Sequence, residues 1–456
     1  PLDQWLNGHL KSVPQGVSQV SLDDQVVTAR QHVAADMELD AVTPPSGAGR
    51  STQVDFVAPE VPEVGERNVT QVFVDPYTGR YLGQRRELDG LIGWANQLHR
   101  LFGNDGPTLS LPSLGHLIAP SQYPDSSIRV GVGNLIMEIT AGWVLVLLAS
   151  GIYLWWPRDI ESGKPRLRIR WRKGGRIRWR DVHATTGILL SVVLICYIVS
   201  GLTWSRYWGE NWRAVASTAT PSAEIDAPST LAKVGDYDRL GRRIAWAAKD
   251  DPVYASEPNP ALPGRLGLAE IDRIAKSENM VPGYSIVPPT DDTVDGQTVF
   301  GSYTVINHWP QKLSEQRTLY LNQFSGATIT NATAAQDGAL TRLTSWGVDS
   351  HMGTQYGLLT RITATLACLG LLTSIATGAI MWWKRRPTGS AGLPGRASDA
   401  VRADTPRGAK IAIAVTAVVL ALLYPAFGAS LILVLVIEGV WAAVRGRTES
   451  ETALPS

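Results

Sequence analysis

Ser150-Gly151-Ile152-Tyr153-Leu154-Trp155-Trp156-Pro157-Arg158 and Thr377-Gly378-Ala379-Ile380-Met381-Trp382-Trp383-Lys384-Arg385 are two versions of one ending. Each closes a long apolar run with a glycine, a tryptophan pair and a base. A helix needs about 20 mostly apolar residues to cross a bilayer. Residues 130–156, 183–204 and 356–383 each satisfy that requirement. Tryptophans beside basic residues mark the interface where such a helix leaves the lipid. A fourth apolar stretch, 409–444, is broken by Pro425 and Gly428. It reads as a hairpin of two short helices, with one kinked helix as the alternative.

Charge sets the orientation. The loop Arg158–Arg180 carries ten Lys/Arg against two Asp/Glu, and Lys384–Lys410 carries seven against two. Short basic loops beside spans face the cytoplasm. Residues 1–130 carry nine basic and fifteen acidic side chains, and 205–350 carry thirteen and seventeen. These long polar segments therefore face outward. A basic loop could also suit nucleic acid, but its position between two spans argues against that partner. A large polar segment ahead of the first span does not cross a membrane unaided. An upstream transmembrane helix or signal is therefore expected ahead of Pro1. Cys196 and Cys368 both fall in apolar runs, and no Cys-x-x-Cys-His is present to attach a haem covalently.

The chain follows one plan twice. Residues 21–35 read as a helix starting at Ser21, with Asp23 and Asp24 in its first turn. Strand-like runs follow near 38–44, 52–58 and 69–75, then the turn Asp75-Pro76-Tyr77-Thr78-Gly79. In the second half, 267–278 reads as a helix and 283–288, 298–306 and 316–322 as strands. The turn there is Asn322-Gln323-Phe324-Ser325-Gly326. A helix with three or four antiparallel strands, twice, predicts two small α+β modules. The fold class is thus a polytopic α-helical membrane bundle with two extracytoplasmic α+β modules.

The segments run as follows. Residues 1–100 form the first outer module and 101–129 an outer connection. A span at 130–157 leads to a basic cytoplasmic loop at 158–182 and a second span at 183–205. The second outer region, 206–350, holds its module near 265–335. A span at 351–384, a cytoplasmic loop at 385–408, the hairpin at 409–444 and a cytoplasmic tail at 445–456 complete the chain.

Seven histidines are present: His9, His32, His99, His116, His183, His308 and His351. His183 begins the second span and His351 lies just outside the third. An ionisable residue at the mouth of a span is functional by default. A neutral imidazole is a good haem ligand, and Gly187, one turn after His183, leaves room for a flat macrocycle. The plainer reading is an interfacial histidine that caps a helix or bonds a backbone carbonyl. His9, His32 and His308 read as surface or strand residues. Glu138 and Arg361 fall at similar depths in their spans, which suggests an ion pair.

Leu98-His99-Arg100, the Gly-x-x-x-Trp-Trp endings, His183 with Gly187, Ser200-Gly201-Leu202-Thr203-Trp204 and His351-x-Gly353-Thr354 occur in a characteristic order. Together they resemble the PepSY-associated transmembrane family of bacterial inner-membrane proteins, over nearly the whole chain. The two outer modules then correspond to PepSY-like modules. The resemblance implies a haem-dependent oxidoreductase of the di-haem ferric-siderophore reductase type. It would use two b-type haems, a cytoplasmic flavin or flavoprotein donor and an extracytoplasmic ferric siderophore, acting in iron uptake. Carried over, His99 and His351 hold an outer haem, and His183 pairs with a histidine of the upstream helix on an inner one.

One spacing departs from the pattern. His351 precedes Trp382 by 31 residues, whereas His99 precedes Trp155 by 56. The extra stretch contains His116, which is therefore a rival outer ligand; Phe102 and Gly103 stand where relatives carry a further histidine. Arg178 and Arg180 are candidate partners for haem propionates, or simple membrane anchors. Trp204, Arg206, Tyr207, Trp208 and Trp346 form a candidate acceptor surface. The rival functional reading is a non-enzymatic peptide- or protein-binding accessory on a membrane scaffold.

Overall fold

The computed structural model describes residues 2–59, 68–101, 106–156, 167, 169–172, 175–223, 227, 229–233, 252–258, 261, 264–294, 296–307, 310–385 and 406–452. His308, Phe102, Gly103 and most of the two basic loops lie outside these residues. The chain divides into two compact units, residues 1–134 with 209–360, and residues 135–208 with 361–456.

Helices α1 (Leu2–Lys11) and α2 (Leu22–Arg30) precede strands β1 (Glu38–Thr43), β2 (Thr52–Val57), β3 (Thr70–Val74) and β4 (Tyr81–Arg86), then helix α3 (Gly90–Leu101). Strands β5 (Thr108–Pro112) and β6 (Ser127–Gly131) pair with each other on either side of the short helix α4 (Leu114–Ile118). Helices α5 (Val132–Trp155), α6 (Arg176–Leu202) and α7 (Tyr207–Ala219) follow. Strands β7 (Ser229–Lys233) and β8 (Pro252–Tyr254) come before helix α8 (Leu268–Ser277) and strand β9 (Ser285–Val287). A hairpin of β10 (Asp292–Val294) and β11 (Gln297–Val299) leads to β12 (Ser302–Ile306), β13 (Arg317–Asn322), β14 (Thr328–Thr333) and helix α9 (Ala339–His351). Helices α10 (Leu358–Trp383), α11 (Arg407–Leu423) and α12 (Pro425–Thr452) close the chain.

The first unit is built on one eight-stranded antiparallel sheet of order β14-β13-β12-β9-β1-β2-β3-β4. The two expected modules are therefore one sheet, a correction to the sequence reading. Each copy contributes four strands, and the first strands of the two copies pair, with Val42 opposite Ile286. Joining them removes one exposed edge from each copy. The repeat is close in detail. Asp75 accepts the Tyr77 N–H, and Asn322 accepts those of Phe324 and Ser325. Gly79 and Gly326 then close equivalent turns at φ of 70° and 71°.

Alternation along the strands decides which face is buried. Val42, Val54, Val72, Val74, Ile286, Val305, Leu319 and Leu321 point to one face, where α2 and α8 cover them with Leu22, Ala29, Ile271 and Ala275. Ser21 caps α2 by accepting the Asp24 N–H at 3.1 Å. The first turn of α8 has no such residue of its own. Instead, Asp23 of α2 accepts the N–H groups of Leu268 and Ala269 at 2.8 and 3.0 Å. One copy thus caps the helix of the other, and Gly267 leaves the room that a side chain would take from Asp23.

In the second unit, α5, α6 and α10 are long and apolar enough to cross a membrane. Leu147, Leu189 and Leu372 point outward from these helices and are more than three-fifths exposed. Such a surface needs an apolar solvent. Helix α6 begins at Arg176, so His183 lies two turns inside the helix rather than at its start. The apolar stretch near the C-terminus is two helices, α11 and α12, which meet at Tyr424 and Pro425. Tyr424 and Phe427 are buried there against Leu202, Trp143 and Trp208.

Candidate functional site

Each copy of the repeat ends in a helix, α3 or α9, and each of these helices carries a histidine in its last turn. The pseudo-symmetry of the sheet brings the two together. The rings of His99 and His351 have centroids 6.0 Å apart and planes inclined by 26°. The rings are close to parallel, at a separation within the range of offset stacking. A metal held between two imidazoles by bonds of about 2 Å, with roughly 1 Å from each nitrogen to its ring centre, sets the centroids about 6 Å apart. The spacing of the two rings leaves room for an iron between them, and His99 and His351 are the residues that would hold it.

The surroundings of His351 point the same way. Ser345 Oγ, Asp349 Oδ2, Ser350 Oγ and Gln355 Oε1 are buried side-chain atoms with no hydrogen-bond partner among the described residues. Orphaned polar atoms are rare in folded proteins, and a cluster of them marks a place where a further group belongs. Burial pushes the Asp349 carboxyl up to about 7. Apolar side chains lead up to both histidines: Leu91, Trp94 and Leu98 on α3, and Leu343 and Trp346 on α9 are all exposed. Beyond His351 the chain reverses through Gly353, Tyr356 and Gly357, all at positive φ. The Asp349 carbonyl accepts the N–H groups of Thr354 and Gln355, and the Gln311 carbonyl accepts that of Tyr356 at 2.9 Å.

His116 is occupied differently. Its Nδ1 lies 3.1 Å from the Tyr123 carbonyl, and its backbone N–H goes to Ser113. The structure sets His99, not His116, opposite His351.

The second unit holds the other candidate. His183 Nδ1 lies 3.1 Å from the Ser374 carbonyl and 3.0 Å from Thr377 Oγ1, both on α10. The Ser374 carbonyl can only accept, so Nδ1 carries the proton and donates it. In a neutral ring this leaves the lone pair on Nε2, the arrangement by which a neighbouring group orients a ligating imidazole. A side chain added at Gly187 would meet nothing within 4 Å, so the space one turn along is open. Thr185 Oγ1 is also buried without a partner among the described residues, on the opposite side of the helix from His183 and Gly187. His183 and the open space at Gly187, one turn apart on the same helix face, would leave room for a flat macrocycle.

Other sequence candidates find partners among themselves. Arg180 bonds Asp181 at 3.1 Å, and the Arg178 guanidinium lies 5.1 Å from the Trp179 ring centre. Asp181 itself is held by two bonds from Arg170, at 2.7 and 2.9 Å. Glu138 bonds the backbone N–H groups of Tyr207 and Trp208, at 2.9 and 3.1 Å, rather than Arg361. This carboxylate at the start of α7 complements the helix dipole. It also draws Tyr207 and Trp208 inward. Tyr207 is buried, and Trp208 stacks on Tyr424 and donates to the Leu423 carbonyl. Both are packing residues rather than an open acceptor surface. Trp204 and Arg206 are half-buried. Trp346 remains exposed and donates to the Tyr356 hydroxyl at 3.2 Å.

A profile of the PepSY-associated TM region matches residues 1–385. The chain belongs to this family. It is a PepSY-type membrane protein, and the α11–α12 hairpin lies beyond the matched residues. A search of curated proteins finds no match. Sequence reasoning missed Ser374 and Thr377 as supports of His183. No motif marks them, since only the packing of α6 on α10 brings them within reach. It also missed that the repeat carries on through the two histidine-bearing helices.

Proposed function

We propose that this PepSY-type membrane protein moves electrons across the bacterial inner membrane on two b-type haems. They would pass from a cytoplasmic flavin or flavoprotein to an extracytoplasmic ferric siderophore. The observation that supports this reading best is the facing pair His99 and His351, delivered by equivalent helices of the two repeats. A haem held there would supply a one-electron carrier. The chain's own residues have the remaining tasks. His99 and His351 would fix the outer iron. His183 would hold the inner iron through Nε2, with Ser374 and Thr377 fixing the ring. The partnerless polar atoms of Asp349 and Gln355 would receive hydrogen-bonding groups of the outer haem.

The test is spectroscopic. Protein purified in detergent should show a Soret band and, on reduction, the α-band of a b-type haem. His351→Ala and His99→Ala should each remove about one haem per chain, and His183→Ala the other. His116→Ala should leave the haem content unchanged. Absence of a Soret band from the parent protein would sink the proposal, and haem loss in His116→Ala would reassign the outer ligand.

A further inference from the structure

The face of the sheet opposite α2 and α8 carries a cleft of about 660 Å³. Its lining comes from β9, β1, β2, β3 and β4 and from Asn307 just past β12. Those six strands are consecutive in the sheet. Strands lie about 4.8 Å apart, so five intervals make a groove about 24 Å long, running across both copies of the repeat. Its side walls include Pro282 and the segment Pro310–Glu315.

The chemistry of the lining narrows the occupant. Three basic and four acidic side chains line the groove, so it selects neither a polyanion nor a polycation. None of its described lining residues is aromatic. The amides Gln53, Gln71, Asn307 and Gln311 line it. An amide side chain both donates and accepts, as a peptide group does. The charges are held ready: Gln53 donates to both oxygens of Asp55, at 2.8 and 3.1 Å, and Arg85 Nε donates to Gln71 at 2.7 Å. Asn307 supplies the independent sign of a missing ligand. It is 5% exposed, yet its Nδ2 has no hydrogen-bond partner among the described residues. A buried donor left unmatched costs about 1–3 kcal/mol, and a peptide carbonyl would satisfy it.

We propose that this groove binds an extended polypeptide segment of mixed charge. At about 3.4 Å per residue, roughly seven residues fill it. The wall segment is joined to the turn after His351 through the bond from the Tyr356 N–H to the Gln311 carbonyl. A bound chain would therefore lie against the loop that leads into the histidine pair. The proposal does not depend on haem.

The experiment uses the full chain in detergent micelles, incubated with a pool of random nonapeptides and washed, with the retained peptides sequenced by mass spectrometry. Retention of peptides carrying both charges, above empty micelles, is the expected result. One retained peptide is then titrated by fluorescence polarisation. Asn307→Leu should weaken it about tenfold, and Gln53→Trp, which fills the floor, should abolish binding with the melting temperature of the parent. If Gln53→Trp does not fold, the Asn307→Leu ratio decides. No retention above empty micelles, retention of single-sign peptides only, or unchanged affinity in Asn307→Leu overturns the proposal.

Discussion

The two copies of the repeat share a backbone and differ on one face. Pairing registers align them residue by residue. Val54 lies opposite Val72, and Val305 opposite Leu319, so Gln53, Asp55 and Gln71 of the first copy correspond to Thr304, Ile306 and Thr318 of the second. Gln71 faces Arg85 where Thr318 faces Ala332. The first copy is thus polar at every one of these positions. The second is small or apolar, and Val253 and Tyr254 of β8 cover it beside Ile306 and Tyr320. The face against the helices has not diverged, because it builds a core that both copies share. Duplication fixed the architecture and the paired histidines. Divergence was free only where one copy gained a cover and the other was left with a groove.

Reciprocal swaps test that asymmetry most severely. Ile306 is 1% exposed, so Ile306→Asp buries a carboxylate with no partner, at a cost of about 3–5 kcal/mol. Asp55→Ile removes a charge from the groove and releases Gln53, at a cost of about 1 kcal/mol. Thermal melting in detergent should separate the two variants clearly. Equal losses would mean that the faces are equivalent and the groove is an accident of shape.

The equivalent turns give a smaller contrast. Gly79 and Gly326 share a left-handed conformation, so either change to Ala costs about 1 kcal/mol for the backbone. An added Cβ at Gly79 would approach Val20 no closer than 3.8 Å. At Gly326 it would meet Ile274 Cδ1 at 2.5 Å and Leu266 at 2.9 Å. Gly326→Ala should therefore lose about 1 kcal/mol more than Gly79→Ala, because the second copy packs its helix over the turn. Denaturant unfolding of the two variants measures the difference; equal values would show that α8 yields without cost.

What could be read from the residues follows from range. The apolar runs, the hairpin break at Pro425 and the strands at 38–44, 52–58 and 316–322 were legible because period and turn chemistry are local. The junction of β1 with β9 was not. It joins residues more than 240 positions apart through one central pair, and nothing near Val42 or Ile286 announces it. The helices α3, α7 and α9 escaped for another reason: they carry mixed apolar and polar residues and are set by docking rather than by propensity. Of the site, the histidines were visible and the resemblance named His99 together with His351, but that equivalent helices of the repeat deliver both rings needed the fold.

The loops that lead into the two histidine helices make the finest comparison. Asp89 precedes α3 in the open and accepts a bond from Asn68 at 2.9 Å. Asp337 precedes α9 at the same point of the plan, but burial pushes its pKa up to about 6 from 3.8, with Arg342 pulling weakly the other way. The folded state then holds the proton more tightly than the unfolded chain does. Stability from this group is fully present below pH 3.8 and is lost as pH rises to about 6. Asp337→Asn keeps a neutral side chain throughout, so its advantage over the parent should grow across that interval and level off above it. The plateau should be about 1–2 kcal/mol, since Asp337 keeps some contact with water. Melting curves between pH 4 and 8 read the effect. A constant offset at every pH would show that Asp337 is solvated like Asp89, and that the two copies enter their histidine helices in the same way.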